Sequence, residues 1–440
     1  MRPSKLTMAE KQALLRRAQS EQTNANADVL GWADDNPLGL PEDLVDFRKH
    51  PAYQQVALMR DGARRLGVDS PFFRLHEGIA RAHSRIAGRS VINFASYNYL
   101  DLAGHPEVLQ AAQKAIQDFG TTVSASRIVS GERPFHRALE RALADFYAVD
   151  DALTFVSGHA TNVSVIGHLL GPRDLIVHDE YAHNSILVGA RLSGAQRLPF
   201  PHNDLDGLEA LLRQHRRKAE RCLVAVEGLY SMDGDSPELG RLIDIKRRYR
   251  SWLMVDEAHS LGVLGARGRG LAEQAGVPTA EVDIWMGTLS KTLASCGGYV
   301  AGSQPLIDQL RFLAPGFLYS VGLSPALGAA ALRALEILQR EPERCTQLQE
   351  NSAYFLAAMR AMGLDTGTSK GTAIIPWITG SSLTAVQHSA ALLERGINVQ
   401  PILYPAVPEQ RARLRFFLSS AHHREDLDRA MIAIAGLLSR

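Results

Sequence analysis

SWLMVDEAH (251–259) and DIWMGTLSKT (283–292) are the two stretches that decide the fold. Each is an apolar, β-prone run of strand length that stops abruptly at ionisable residues: Asp256 and His259 in the first, Lys291 in the second. Strands apolar at every position are covered on both faces, as in parallel sheets. Ligands of such sheets bind at the carboxyl ends of the strands, so a carboxylate and an amine are expected on one sheet edge.

Outward from this pair, strands and helices alternate. VINFAS (91–96), DALTFVS (151–157), DLIVHD (174–179), RCLVAVEG (221–228) and GGYVAG (297–302) read as strands. HPEVLQAAQKAIQDFG (105–120) and HRALERALADFYA (136–148) read as helices between them. The pattern predicts an α/β protein with a mainly parallel sheet and helices on both faces. Residues 325–363 read as one long helical segment, followed by short strands near 373–378 and 413–419 and a last helix at 425–440. Three parts are therefore expected: an N-terminal helical arm (1–89), a large domain (90–325) and a small C-terminal α+β domain (326–440). The arm contains an amphipathic helix at 4–20 and a second helical stretch at 50–67, and shows no chemistry of its own. It reads as a segment packing on a partner subunit or the small domain, or as a docking element for a carrier protein.

Bulk composition is that of a soluble globular protein: 440 residues, 45% apolar, 22% charged, net charge +1. It gives no footprint for nucleic acid, and RRKAER (216–221) reads as a solvated helix face. No apolar run has the length of a membrane span, and MRPSKLTMAEKQALLRRAQ lacks the apolar core of a signal peptide. Cys222, Cys296 and Cys345 form neither a disulfide framework nor a metal set, which fits the cytoplasm.

Further candidates follow the other strands. Ser157-Gly158-His159 opens a helix whose first amides suit a phosphate. The loop Glu227–Asp235 offers the Ser231 hydroxyl, and His183 stands where its ring could stack on an aromatic ligand. Asp256 and His259 read as a metal pair, a catalytic relay or two contacts to one flat ligand; no further ligand stands at metal spacing. Thr288 precedes Lys291 by three residues, and the Gly297-Gly298 pair suggests close backbone approach. Arg413 and Arg415 share one face of a strand, where one guanidinium could hold a carboxylate in bidentate fashion. Taken singly, each also reads as an ordinary turn, cap or surface charge. A carboxylate able to keep a pyridine nitrogen protonated, with a lysine able to form a Schiff base, is what pyridoxal phosphate chemistry requires.

In this order the motifs EGLYSMDGD, VDEAHSLGVLGARGRG, GTLSKTLASCGGYV and RGINVQPILYPAVPEQRARLRFFLSSAHHREDL resemble the α-oxoamine synthases, over roughly residues 90–430. These are fold-type I pyridoxal 5'-phosphate enzymes. The resemblance implies a seven-stranded, mostly parallel large domain, a small C-terminal domain and a homodimer with shared active sites. It implies decarboxylative condensation of an amino acid with an acyl thioester, on coenzyme A or an acyl carrier protein, to an α-amino ketone. Lys291 would form the Schiff base and move the α-proton. Asp256 would pair with the pyridinium nitrogen, His183 stack on the ring and His259 contact its hydroxyl. Ser231, Thr288 and the amides of Gly158 and His159 would hold the phosphate, joined by Ser320 of the neighbouring subunit. Arg415 would bind the amino-acid carboxylate. The chain departs from the family at His159, where Phe or Tyr is usual, and at Val321, where Thr is common. Tyr97, in Ser96-Tyr97-Asn98-Tyr99-Leu100, resembles the serine palmitoyltransferase form and leans toward an amino acid larger than glycine. Two other readings stand beside this one: an aminotransferase or lyase of the same fold, and a non-catalytic subunit, against which the presence of Lys291 argues.

Overall fold

The expected apolar runs form strands in the computed structural model, which describes residues 40–65 and 70–438. Met1–Ser70 and Pro71–Arg440 are separate compact units. In the first, the helix expected at 50–67 spans Pro51–Arg65; that expected at 4–20 lies outside the described residues. The strands of the second unit are β1 (His76–Glu77), β2 (His83–Ile86), β3 (Arg89–Asn93), β4 (Asp151–Phe155), β5 (Leu175–Asp179), β6 (Gln196–Phe200) and β7 (Cys222–Glu227). They continue as β8 (Trp252–Asp256), β9 (Ile284–Thr288), β10 (Gly298–Gly302), β11 (Ile374–Gly380), β12 (Ile397–Asn398), β13 (Gln400–Ile402) and β14 (Ala412–Phe417).

Seven of them make the large sheet, in the order β4-β10-β9-β8-β7-β5-β6. β10 runs antiparallel to β4 and β9, and the other neighbours are parallel. The side-chain period of two sorts each strand between two cores. Val224, Val226, Leu253, Val255 and Trp285 pack in one; Leu223, Ala225, Met254, Ile284 and Met286 pack in the other. Burial on both faces is why these strands lack polar alternation. A smaller antiparallel sheet, β11-β14-β13, carries the C-terminal arginines.

Three elements differ from expectation. The strand read at 91–96 forms β3, but in a separate sheet β1-β2-β3-β12, where it pairs parallel with β12. β6 (QRLPF) escaped the reading because it is a half-exposed edge strand containing Pro199, a residue that sheets admit chiefly at edges. The single helical segment after Pro325 is two helices, Pro325–Arg340 and Glu343–Ala361. Pro342 breaks it, since the residue before a proline is pushed out of the helical region and Glu341 stands at φ −121°, ψ 62°. No described helix is long and apolar enough to cross a membrane.

Candidate active site

Five strand ends converge on one edge of the large sheet. β4 runs into Ser157 and the helix Gly158–Leu169. β5 leads into the turn carrying His183, β7 ends at Glu227, β8 at Asp256, and β9 at Thr288 just before Lys291. Strand register sets Glu227 opposite Asp256 and Asp256 opposite Met286. Gly158, His159, His183, Asp256, His259, Thr288 and Lys291 line one cavity of about 150 Å³. The structure thus brings together residues that the sequence separates by more than a hundred positions. A larger cleft of about 330 Å³ lies at the other end of β8 and β9, but its Asp283 is already engaged by Lys246 and the Leu253 amide.

The cavity's polar groups form a graded set. Asp256 is 4% exposed, and its carboxylate accepts from Asn162 Nδ2 (2.8 Å) and from the Ala258 amide (3.0 Å). Asn162 also donates to Ser185 Oγ (2.9 Å), which meets His183 Nδ1 at 2.7 Å. One hydrogen-bonded chain therefore joins His183 to Asp256. His259 is buried, with Nδ1 2.7 Å from the Tyr99 hydroxyl, and burial holds its imidazole well below the ordinary range, so it stands neutral. Lys291 is half-buried, and its Nζ lies 5.7 Å from the centre of the Tyr97 ring. Burial pushes its amine down to about 8 against the opposing pull of Asp256 and Glu227.

Glu227, Asn162 and Ser185 are cavity residues to which the sequence reading gave no role. Glu227 was the most detectable, because it ends an apolar strand just as Asp256 does. Burial first, then the Asp256 charge, pushes its carboxyl up to about 8. One carboxyl oxygen accepts from the Ser231 amide at 3.3 Å; the other is buried without a hydrogen-bond partner.

Ser231 and Arg415 stand beside the cavity and touch each other: Arg415 Nη1 donates to the Ser231 carbonyl at 2.8 Å. Arg413 reaches the same loop, pairing with Asp233 at 2.8 Å and donating to the Met232 carbonyl at 3.1 Å. The two guanidinium groups do share a face, but Arg413 is consumed by a buried ion pair, while Arg415 Nε is buried and unpartnered. An unfilled guanidinium donor beside Lys291 is suited to a carboxylate. Ser320 lies away from this cavity, in a small cleft with Arg127 and Thr154.

Comparison with known proteins agrees with this geometry. The model for aminotransferase class I and II matches residues 89–434. The chain is 41% identical over 367 residues to a putative 8-amino-7-oxononanoate synthase of Gloeobacter violaceus, covering 83% of this chain and 93% of that protein. Its fold is similar to Sphingomonas wittichii serine palmitoyltransferase, with a TM-score of 0.85 at 30% identity, over 90% of this chain and 99% of the other. A serine palmitoyltransferase structure holding pyridoxal phosphate matches equally well, with a TM-score of 0.85 at 27% identity over 89% and 99% of the two chains.

Proposed function

From the premise that the chain belongs to the aminotransferase class I and II family and, within it, to the α-oxoamine synthases, we propose that the Lys291 cavity condenses an amino acid with an acyl thioester, releasing CO2 and an α-amino ketone. The protein is a pyridoxal 5'-phosphate-dependent acyltransferase. Bound in the cavity, that cofactor supplies the electron sink for the charge left at the substrate α-carbon. The residues present fit it. A side chain at Gly158 would lie 2.8 Å from Thr288 Oγ1, so the helix start is kept bare beside a hydroxyl, as phosphate cradles require. The unpartnered Glu227 oxygen is a further polar group left for a ligand to meet.

The observation that carries the proposal is Lys291 and Asp256 in one cavity, with an arginine beside it whose Nε has no partner. With its amine lowered to about 8, Lys291 is partly neutral near physiological pH, the form in which it would serve as the cofactor's lysine. The same amine would take and return the proton at the substrate α-carbon. Asp256, backed by two donors, would offer its charge to the pyridine nitrogen. His183 would stack on the ring, and the neutral His259 would contact its hydroxyl. The amides of Gly158 and His159, with Ser231 and Thr288, would hold the phosphate. Arg415 would take the substrate carboxylate, and the Tyr97 ring lies near the Lys291 amine.

A homodimer completes the site. Ile128, Val129, Tyr319 and Val321 are exposed, and a bridge between Ser126 and Val321 joins their two segments. An apolar cluster around Ser320 supports its burial against a second copy, where Ser320 would reach the partner's phosphate. We assign residues 90–325 to cofactor binding and 326–440 to the small domain. The free cysteines fit a cytoplasmic setting.

The test is to feed each amino acid with an acyl thioester and follow CO2 and free thiol. Stoichiometric release of both is expected. Conversion of the amino acid to its 2-oxo acid, with no thiol released, would instead make the protein an aminotransferase.

A further inference from the structure

His202 occupies a place that nothing in the reaction requires, yet both of its ring nitrogens meet carboxylates. It follows the edge strand β6, and its side chain is 12% exposed. Its Nδ1 lies 2.9 and 3.1 Å from the two carboxylate oxygens of Asp179. Its Nε2 lies 3.0 and 3.2 Å from those of Asp235. A neutral imidazole can donate from only one nitrogen, and the other would point a lone pair at a carboxylate. Both nitrogens must therefore carry hydrogen, which makes the ring a cation. The Tyr181 ring stacks on it at 4.5 Å and 22°, and the Tyr230 ring meets it edge-on at 4.5 Å. Burial works against the charge, but the hydrogen bonds to Asp179 and Asp235 overcome it and push the imidazole up to about 10.

Each carboxylate controls a different side of the cavity. Asp179 ends β5 and accepts from the Tyr181 amide at 2.8 Å, which shapes the turn that leads to His183. It also accepts from the Asn203 amide at 2.8 Å, which anchors the His202 turn. Asp235 closes the loop that begins at Ser231: the Tyr230 amide donates to its carbonyl at 2.8 Å, and the Gly234 amide to the Tyr230 carbonyl at 2.9 Å. Thr368, from the C-terminal part of the chain, donates to the Asp235 carboxylate at 2.7 Å. Asp179 and Asp235 are 0% and 3% exposed, so without a cation between them two buried carboxylates would repel and the loops would part.

We propose that His202 is a positioning residue: a cationic clamp between Asp179 and Asp235 that fixes the spacing of the His183 turn and the Ser231 loop, and hence the width of the cofactor site. This rests on reading that cavity as the pyridoxal phosphate site. The clamp touches neither cofactor nor substrate; it acts through the two loops.

The experiment compares the wild-type holoenzyme with His202→Gln, Asp235→Asn and the double variant. Cofactor release is followed by fluorescence on dilution, and folding by circular dichroism. His202→Gln is expected to weaken cofactor binding on the order of 10- to 100-fold, the range for losing charge-assisted hydrogen bonds. The double variant should bind more tightly than His202→Gln alone, because removing one carboxylate relieves the repulsion that the missing cation exposes. A lowered melting temperature with unchanged cofactor affinity would make His202 merely structural and overturn the clamp. If His202→Gln does not fold, Asp235→Asn decides: unchanged affinity overturns the proposal and weakened affinity upholds it. Failure of the wild-type protein to bind the cofactor would remove the site reading and the clamp with it, whereas normal wild-type binding with unaffected variants removes the clamp alone.

Discussion

Lys291 and Glu227 face one cavity, and burial drives both toward their neutral forms, the amine down to about 8 and the carboxyl up to about 8. The consequences for stability have opposite signs. Between the ordinary carboxyl value of 4.5 and about 8, folded Glu227 retains a proton that the unfolded chain has lost, so stability falls as pH rises. Between about 8 and the ordinary amine value of 10.5, the unfolded chain retains a proton that folded Lys291 has released, so stability rises again. Thermal unfolding of the cofactor-free protein across pH 5 to 8, an interval inside the Glu227 window, should show the first slope, and Glu227→Gln should make it shallower, Glu257 and His202 supplying the remainder. An equally steep decline in the variant would refute the assignment. Lys291→Ala is expected to abolish condensation and the long-wavelength absorbance of the bound cofactor together; a persisting band would place the covalent bond elsewhere. Arg415→Lys keeps the charge but loses the planar fork, so amino-acid affinity in spectral titrations should drop by about tenfold or more while cofactor affinity holds.

At the level of elements, the site depends on two bare backbone positions where the helix Gly158–Leu169 meets the sheet. A methyl group on Gly158 would sit 2.8 Å from Thr288 Oγ1 and 3.0 Å from its Cβ. On Gly298 it would sit 2.6 Å from Gly158 Cα, which is backbone and cannot swing aside. Gly158→Ala is therefore expected to cost about 1–3 kcal/mol in chemical denaturation and to weaken cofactor binding. Gly298→Ala should be the more severe, and the reverse order would show that the close approach of Gly298 to the Gly158 backbone does not govern the cradle. Motif spacing made the start of this helix legible, because Ser157-Gly158 follows an apolar strand. Two elements were not legible from local pattern. Glu341-Pro342 splits what reads as a continuous amphipathic segment, and β6 lacks both an apolar run and strict alternation because only one neighbour covers it.

For the whole molecule, the apolar patch of Ile128, Val129, Tyr319 and Val321 predicts a dimer whose loss disables the site. Val129→Asp should sediment as a monomer and release cofactor more readily; a variant that stays dimeric and fully active would move the interface elsewhere. The amino-acid sequence by itself determined which strands are buried on both faces, since continuous apolar runs have no other use in a sheet. It also determined that Asp256, His259, Thr288 and Lys291 lie at strand ends, because each follows such a run directly. Only the tertiary structure decided that Glu227 stands opposite Asp256, that Asn162 and Ser185 link His183 to that carboxylate, and that His202 bridges two loops. It also moved the strand read at 91–96 out of the large sheet and into a pairing with β12. Periodicity and chain breaks are local properties, set by neighbours within a turn or two. Strand order, register and the facing of charges from distant segments arise from pairings between residues far apart in sequence, where the burial of each partner depends on all the others.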